Sequence, residues 1–260
     1  MTRYFPAAFT IALVLALLMH GPIAQFADYH DFADHSIVAG IPHAGDVLSN
    51  LAFAFVAAWG AAKLSPLFRA PAIHAGRYGY GLFILGLLAT ACGSTYYHLA
   101  PDNARLLWDR LPIALSCAGL LAAMRAKYVP AADERRDALV LGMAAIAGVL
   151  WWRHTDLQGH GDLRWYLLFQ VLPLVLIPAW QAIYHARRSE RIAVAAAALL
   201  YGAAKLAELY DHPVQDALHV VSGHTLKHLL AAAAAAVLLW QAAVDLDPAG
   251  EFSRRSRVFS

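Results

Sequence analysis

Eight hydrophobic segments, each near the roughly 20 residues that cross a bilayer, follow one another along this chain with only brief loops between them. They lie at 4–25, 46–64, 78–98, 105–125, 138–152, 164–185, 191–210 and 217–244, the fifth being the shortest. In hydrocarbon, backbone polar groups must be satisfied without water, and a helix does this within its own segment. The expected fold is therefore an all-α integral membrane protein. Composition agrees: 15% of residues are charged, against about 25% in soluble domains. Mean hydropathy is +0.50. The net charge of +2 says nothing about nucleic acid, but no basic cluster is interleaved with aromatics, and no nucleic-acid partner is expected. The lipid bilayer is the expected environment and partner.

The basic residues orient the chain. With the N-terminus inside, fourteen of the twenty Lys and Arg fall on inner segments. The positive-inside rule then predicts eight spans with both termini cytoplasmic, in a bacterial inner membrane. No small-x-small cleavage site follows Met19, so the first segment is read as a retained helix. Cys92 and Cys117 fall inside hydrophobic segments and read as packing residues. They supply neither a disulfide framework nor a thiolate metal site.

The eighth segment opens on Ser222-Gly223-His224-Thr225-Leu226-Lys227-His228. Residues four apart share a helix face one turn from each other, so His224 and His228 have a metal-ligand spacing. The third segment ends in Gly93-Ser94-Thr95-Tyr96-Tyr97-His98, and Asp109 lies one turn into the fourth. The topology puts all of these at similar depth toward the outer face. A catalytic zinc takes imidazole nitrogen, with three protein ligands and one open position. His98, His224 and His228 are the candidate ligands. Asp109 is the candidate proton acceptor for a zinc-activated water. Ser94, four residues before His98 on the same face, is the candidate hydrogen-bond donor to an oxyanion. A single histidine in a helix is ordinarily a structural residue. Three at one depth with an acid point to Zn2+, because ionisable groups inside spans are expensive and usually functional. Lys205, Glu208 and Asp211 share one face near the outer end of the seventh segment and are expected to pair with one another.

Gly93-Ser94-x-x-x-His98, Asp109-x-Leu111-Pro112 and Gly223-His224-x-x-x-His228 resemble the motifs of the alkaline ceramidases. These belong to a superfamily of intramembrane hydrolases that includes the progestin and adiponectin receptors. The resemblance runs from about Asp46 to about Leu239. It implies a seven-helix core bundle with one extra N-terminal transmembrane helix. It implies a zinc held by the three histidines, with Ser94 and Asp109 flanking the activated water, and hydrolysis of a lipid amide. The chain then divides into an extra helix (1–27), an acidic outer loop (28–45), a hydrolase core (46–246) and a basic cytoplasmic tail (247–260). The same family places a calcium site before its first core helix. Here Asp28, Asp31 and Asp34, followed by Asp46, are the carboxylates available for Ca2+. His43 stands where the family pattern has an acid, and histidine is a poor ligand for this hard cation.

Two functions follow as expectations. One is a zinc-dependent amidase acting on a ceramide-like or other N-acyl lipid. The other is a receptor or transporter with a structural metal. Transporters tend to show broken helices and internal repeats, and neither is visible. Pro173 and Pro178 in the sixth segment are ordinary membrane-helix prolines.

Overall fold

A computed structural model of the protein describes residues 3–69, 75–130 and 132–246, so the basic tail lies outside the described residues. The chain enters through α1 (Phe5–His20) and a loop carrying a two-residue hairpin, β1 (Ile37–Val38) and β2 (Ile41–Pro42). Then come α2 (Ala44–Ser49), α3 (Leu51–Lys63), α4 (Ser65–Arg69), α5 (Arg77–Leu99), α6 (Asn103–Tyr128) and α7 (Glu134–Leu157). The last four are α8 (Arg164–Ile183), α9 (Arg188–Leu209), α10 (Asp211–Leu218) and α11 (Gly223–Leu246). Taking α2 and α3 as one unit, seven described helices are long and apolar enough to cross a membrane. The chain is a multi-pass, all-α membrane protein.

Three elements depart from the hydrophobic segments. The first segment yields a helix of 16 residues, about 24 Å long at 1.5 Å per residue and shorter than a bilayer core of about 30 Å. Gly21, at φ 83, and Pro22 end it, since proline cannot continue a helix. The fifth segment is longer than its apolar run. The Asp133 side chain accepts the Arg136 N–H as an N-cap, and Asp137 pairs with Arg125 on α6. Polar residues ahead of the apolar stretch therefore join α7, which runs 24 residues. The eighth segment starts late as a helix: its first two residues end the short α10, His219 turns the chain at φ 62, and α11 begins at Gly223.

Glycines set the closest helix pair. Gly79, Gly86 and Gly93 recur every seven residues down α5. A Cβ there would lie 2.2 Å from Ala123 N, 2.4 Å from Ser116 Oγ and 1.9 Å from Trp108 O, all on α6. Small residues permit this backbone approach, which drives membrane-helix packing where hydrophobicity cannot. The Gly93–Trp108 contact is what brings neighbouring Ser94 and Asp109 together.

Asp162 ties α1 to the bundle. Its carboxylate accepts the Ile23 N–H at 3.2 Å, the Trp151 indole at 2.8 Å and the Arg164 guanidinium at 2.8–3.0 Å. Arg164 in turn donates to Leu17 O at 3.2 Å. Burial alone raises the Asp162 carboxyl, but the Arg164 and Trp151 hydrogen bonds outweigh it and hold the group at about 2. A carboxyl depressed on folding stabilises fully above its unfolded value and loses that contribution as pH falls through the folded one. The Ile23 amide should therefore stay protected from hydrogen exchange near neutrality and lose protection as pH falls from about 4 toward about 2. Asp162→Asn should remove that pH step. At the opposite end of the bundle, Glu190 joins Arg187 at 2.7 Å, Lys127 at 3.4 Å and Tyr128 Oη at 2.8 Å, and Asp245 pairs with the same two cations. Charge is thus concentrated at both ends.

Candidate metal centre

The last turn of α5 and the first two turns of α11 meet at one end of the bundle. There His98, His224 and His228 offer ligand atoms that all lie within 4.8 Å of one another. The three rings stand edge to face, 4.7–5.1 Å between centroids, and all three residues are buried. Among the described residues this is the one set of three or more His, Cys, Asp or Glu so arranged, and it can hold a metal ion.

The hydrogen bonds say which nitrogens are free for a metal. Both ring nitrogens of His98 are buried without a partner, a costly state for an imidazole unless a ligand completes it. The Ser49 hydroxyl donates to Asp46 O at 3.0 Å, so it accepts from His228 Nδ1–H at 2.8 Å. That bond sets the tautomer and leaves the His228 Nε2 lone pair for a metal, as outer partners of ligating histidines do. His224 Nε2 receives the Lys227 ammonium at 2.9 Å. Lys227 also holds Glu208 at 2.8 Å, so it can release this nitrogen and keep an anion. Removing the outer partner of a ligand typically costs 10–100-fold in metal affinity. Ser49→Ala should accordingly weaken metal binding by about that factor, read by competition with a chelator, with the helical signal unchanged.

The N-terminus of α11 is built to hold the two histidines. Ser222 Oγ accepts the Thr225 N–H at 2.8 Å, an N-cap bond. Asp211 Oδ1 accepts the His224 N–H at 2.7 Å, and its other oxygen takes the Ala33 N–H at 3.0 Å. Gly223 makes this approach sterically allowed, since a Cβ there would sit 2.2 Å from Ala207 O. Asp46 Oδ1 accepts the Thr225 hydroxyl at 2.7 Å and lies 2.8 Å from the Ser222 hydroxyl. An acid at a helix N-terminus is favoured by the helix dipole, and this one places α2, and so Ser49, under His228.

Ser94, one turn before His98 on α5, and Asp109, in the second turn of α6, are both buried near the same end of the bundle. The Ser94 hydroxyl faces the Asp109 carboxyl without closing a hydrogen bond. Asp109 lies in electrostatic reach of Lys227 and belongs to no ligand group. Phe32, 5% exposed, packs its ring 4.7 Å from His98 and 4.5 Å from His224. It caps the histidines from the loop between α1 and β1. His30 pins that loop, bonding Tyr97 Oη at 2.7 Å and Asn103 Oδ1 at 2.8 Å.

Other expectations fail. The four aspartates read as calcium ligands do not converge. Asp28 and Asp31 are exposed. Asp34 is consumed by the N–H groups of Ser36 and Asp46 at 2.9 and 3.0 Å, and Asp46 serves the start of α11. Asp211 does not join Lys205 and Glu208, because it caps α11 instead. Glu208 bridges Lys205 and Lys227, each at 2.8 Å. Cys92 is exposed on α5 and is no packing residue. Sequence reading missed Ser49 and Phe32, both far in the chain from the motifs. No family model, curated protein or solved structure matches the chain.

Proposed function

We propose that the protein is a zinc-dependent intramembrane hydrolase that cleaves the amide bond of an N-acyl lipid, as the resemblance of its motifs to the alkaline ceramidases implies. The observation that carries this reading is the buried three-histidine set, with Ser94 one turn from His98 and buried Asp109 facing Ser94. Zinc held by three imidazoles supplies a Lewis acid that lowers the pKa of water from 15.7 to about 7. Asp109 accepts the proton of the attacking water and returns it to the amide nitrogen as the C–N bond breaks. Fatty acid and amine leave. Ser94 donates its unpartnered hydroxyl to the carbonyl oxygen as negative charge develops there. Phe32 keeps bulk water off the histidines. Laterally, α9 buries few residues and touches α8 sparsely, which suits entry of an acyl chain from the bilayer.

The test is metal analysis of protein purified without chelator, followed by fatty-acid release from a panel of ceramides and other N-acyl lipids. One zinc per chain and turnover of at least one lipid support the reading. Zinc without turnover leaves a non-catalytic membrane protein with a structural metal, and absence of zinc sinks both.

The orientation belongs to the same reading, with the site toward the outside of a bacterial inner membrane. Gln158 lies at the histidine end and Ser189 at the other, both exposed. In a Cys92→Ser background, Gln158→Cys should react with an impermeant thiol reagent in whole cells, and Ser189→Cys should not. The reverse labelling would invert the topology.

A further inference from the structure

Next to Asp109 on α6, about 100° around the helix, Arg110 is 1% exposed, yet its Nε and Nη1 have no hydrogen-bond partner among the described residues. Its guanidinium carbon lies 4.2 Å from the ring centroid of Trp152, 4.8 Å from that of Tyr29 and 5.4 Å from that of Tyr166. Rings satisfy the faces of a guanidinium. Its N–H groups lie in its own plane, where they can meet carboxylate oxygens, and those of Nε and Nη1 are unfilled. A second buried donor is orphaned in the same place, the indole Nε1 of fully buried Trp152. An arginine cannot shed its charge, and a buried charge without a partner is strongly disfavoured.

The charges around it are also unbalanced. Asp109 has Arg110, Lys227 and Glu208 in electrostatic reach, and Lys227 has Lys205 as well. Among the described residues, Arg110, Lys205 and Lys227 there face Asp109 and Glu208. Tyr29 connects them, with its ring over Arg110 and its hydroxyl in electrostatic reach of Lys205 and Lys227.

We propose that Arg110 binds the carboxylate of an amphiphile held inside the bundle. That carboxylate is either the head of the substrate, making the substrate an N-acyl amino acid, or the free fatty acid that hydrolysis releases. The inference rests on the hydrolase reading for its substrate arm alone. Arg110 is a specificity residue in this scheme, and Trp152 and Tyr166 position it.

Two matched pairs test it in the zinc-loaded protein. The first compares binding of palmitate with that of 1-hexadecanol by calorimetry. The second compares kcat/KM on N-palmitoylglycine with that on N-palmitoylethanolamine. Hydrogen bonds to a charged group are worth about ten- to a hundredfold, so the acid should win by that factor in at least one pair. Preference in binding alone assigns the site to the released fatty acid, and preference in turnover assigns it to the substrate head. Arg110→Gln should abolish the preference. Arg110→Lys, which keeps the charge without the fork, should retain part of it and decides the matter if Arg110→Gln does not fold. Equal handling within both pairs by the unmodified protein overturns the proposal, as does a preference undiminished in Arg110→Gln or, if that does not fold, in Arg110→Lys. If no lipid is hydrolysed, the hydrolase reading falls and the binding pair still decides the role of Arg110.

Discussion

Asp109→Asn should keep its full complement of zinc and lose about 10²–10⁴-fold in turnover, the usual share of a general acid–base group. Asparagine matches the shape of the aspartate but cannot accept a proton. The geometry separates the two roles. Asp109 is buried against Ser94, while the ligand atoms that gather within 4.8 Å belong to His98, His224 and His228. Metal content by mass spectrometry and fatty-acid release under single-turnover conditions are the two readouts. A metal-free Asp109→Asn protein would make Asp109 a ligand and overturn the three-histidine assignment. Ser94→Ala, with metal retained, should lose less, because it removes one hydrogen-bond donor and leaves the proton path in place.

His98→Ala should lose the metal itself, and with it all turnover. His98 is the one ligand supplied by α5, and the remaining pair on α11 offers two imidazoles where catalytic zinc sites have three protein ligands. The loss should exceed the 10–100-fold expected from disturbing an outer partner such as Ser49. The comparison with Ser49→Ala is therefore informative. If both variants weaken zinc equally, His98 lies outside the ligand set. Melting temperature adds an independent check. A metal that binds only the folded state stabilises it, so zinc should raise the melting point of the unmodified protein and leave His98→Ala unmoved.

The features legible in the sequence are those that depend on short range. Hydropathy over about 20 residues locates the spans, and helical periodicity alone puts His224 and His228 on one face. Counting spans then brings His98 and Asp109 to the same end, since an odd number of crossings separates neither from α11 in depth. Helix ends were less legible. Capping by Asp133 extends α7 through charged residues that a hydropathy window rejects, and Gly21-Pro22 shortens α1 inside an apolar run.

Tertiary structure decided everything that required two distant segments to meet. Ser49 and His228 are 179 residues apart, as are Asp46 and Thr225. Nothing local marks Ser49 as the group that sets the His228 tautomer, or Phe32 as the cover of the histidines. The acidic loop shows the same limit. Asp34 and Asp46 look like cation ligands in one dimension, but packing spends them on backbone N–H groups and on the start of α11. Arg110 reads as one more basic residue at a helix end, yet the bundle buries it among three aromatic rings. A side chain's residue type sets the chemistry it can offer, and that much the sequence alone determined. Whether its donors and acceptors are used up by neighbours or left for a metal or a lipid depends on long-range packing, which only the folded bundle supplies.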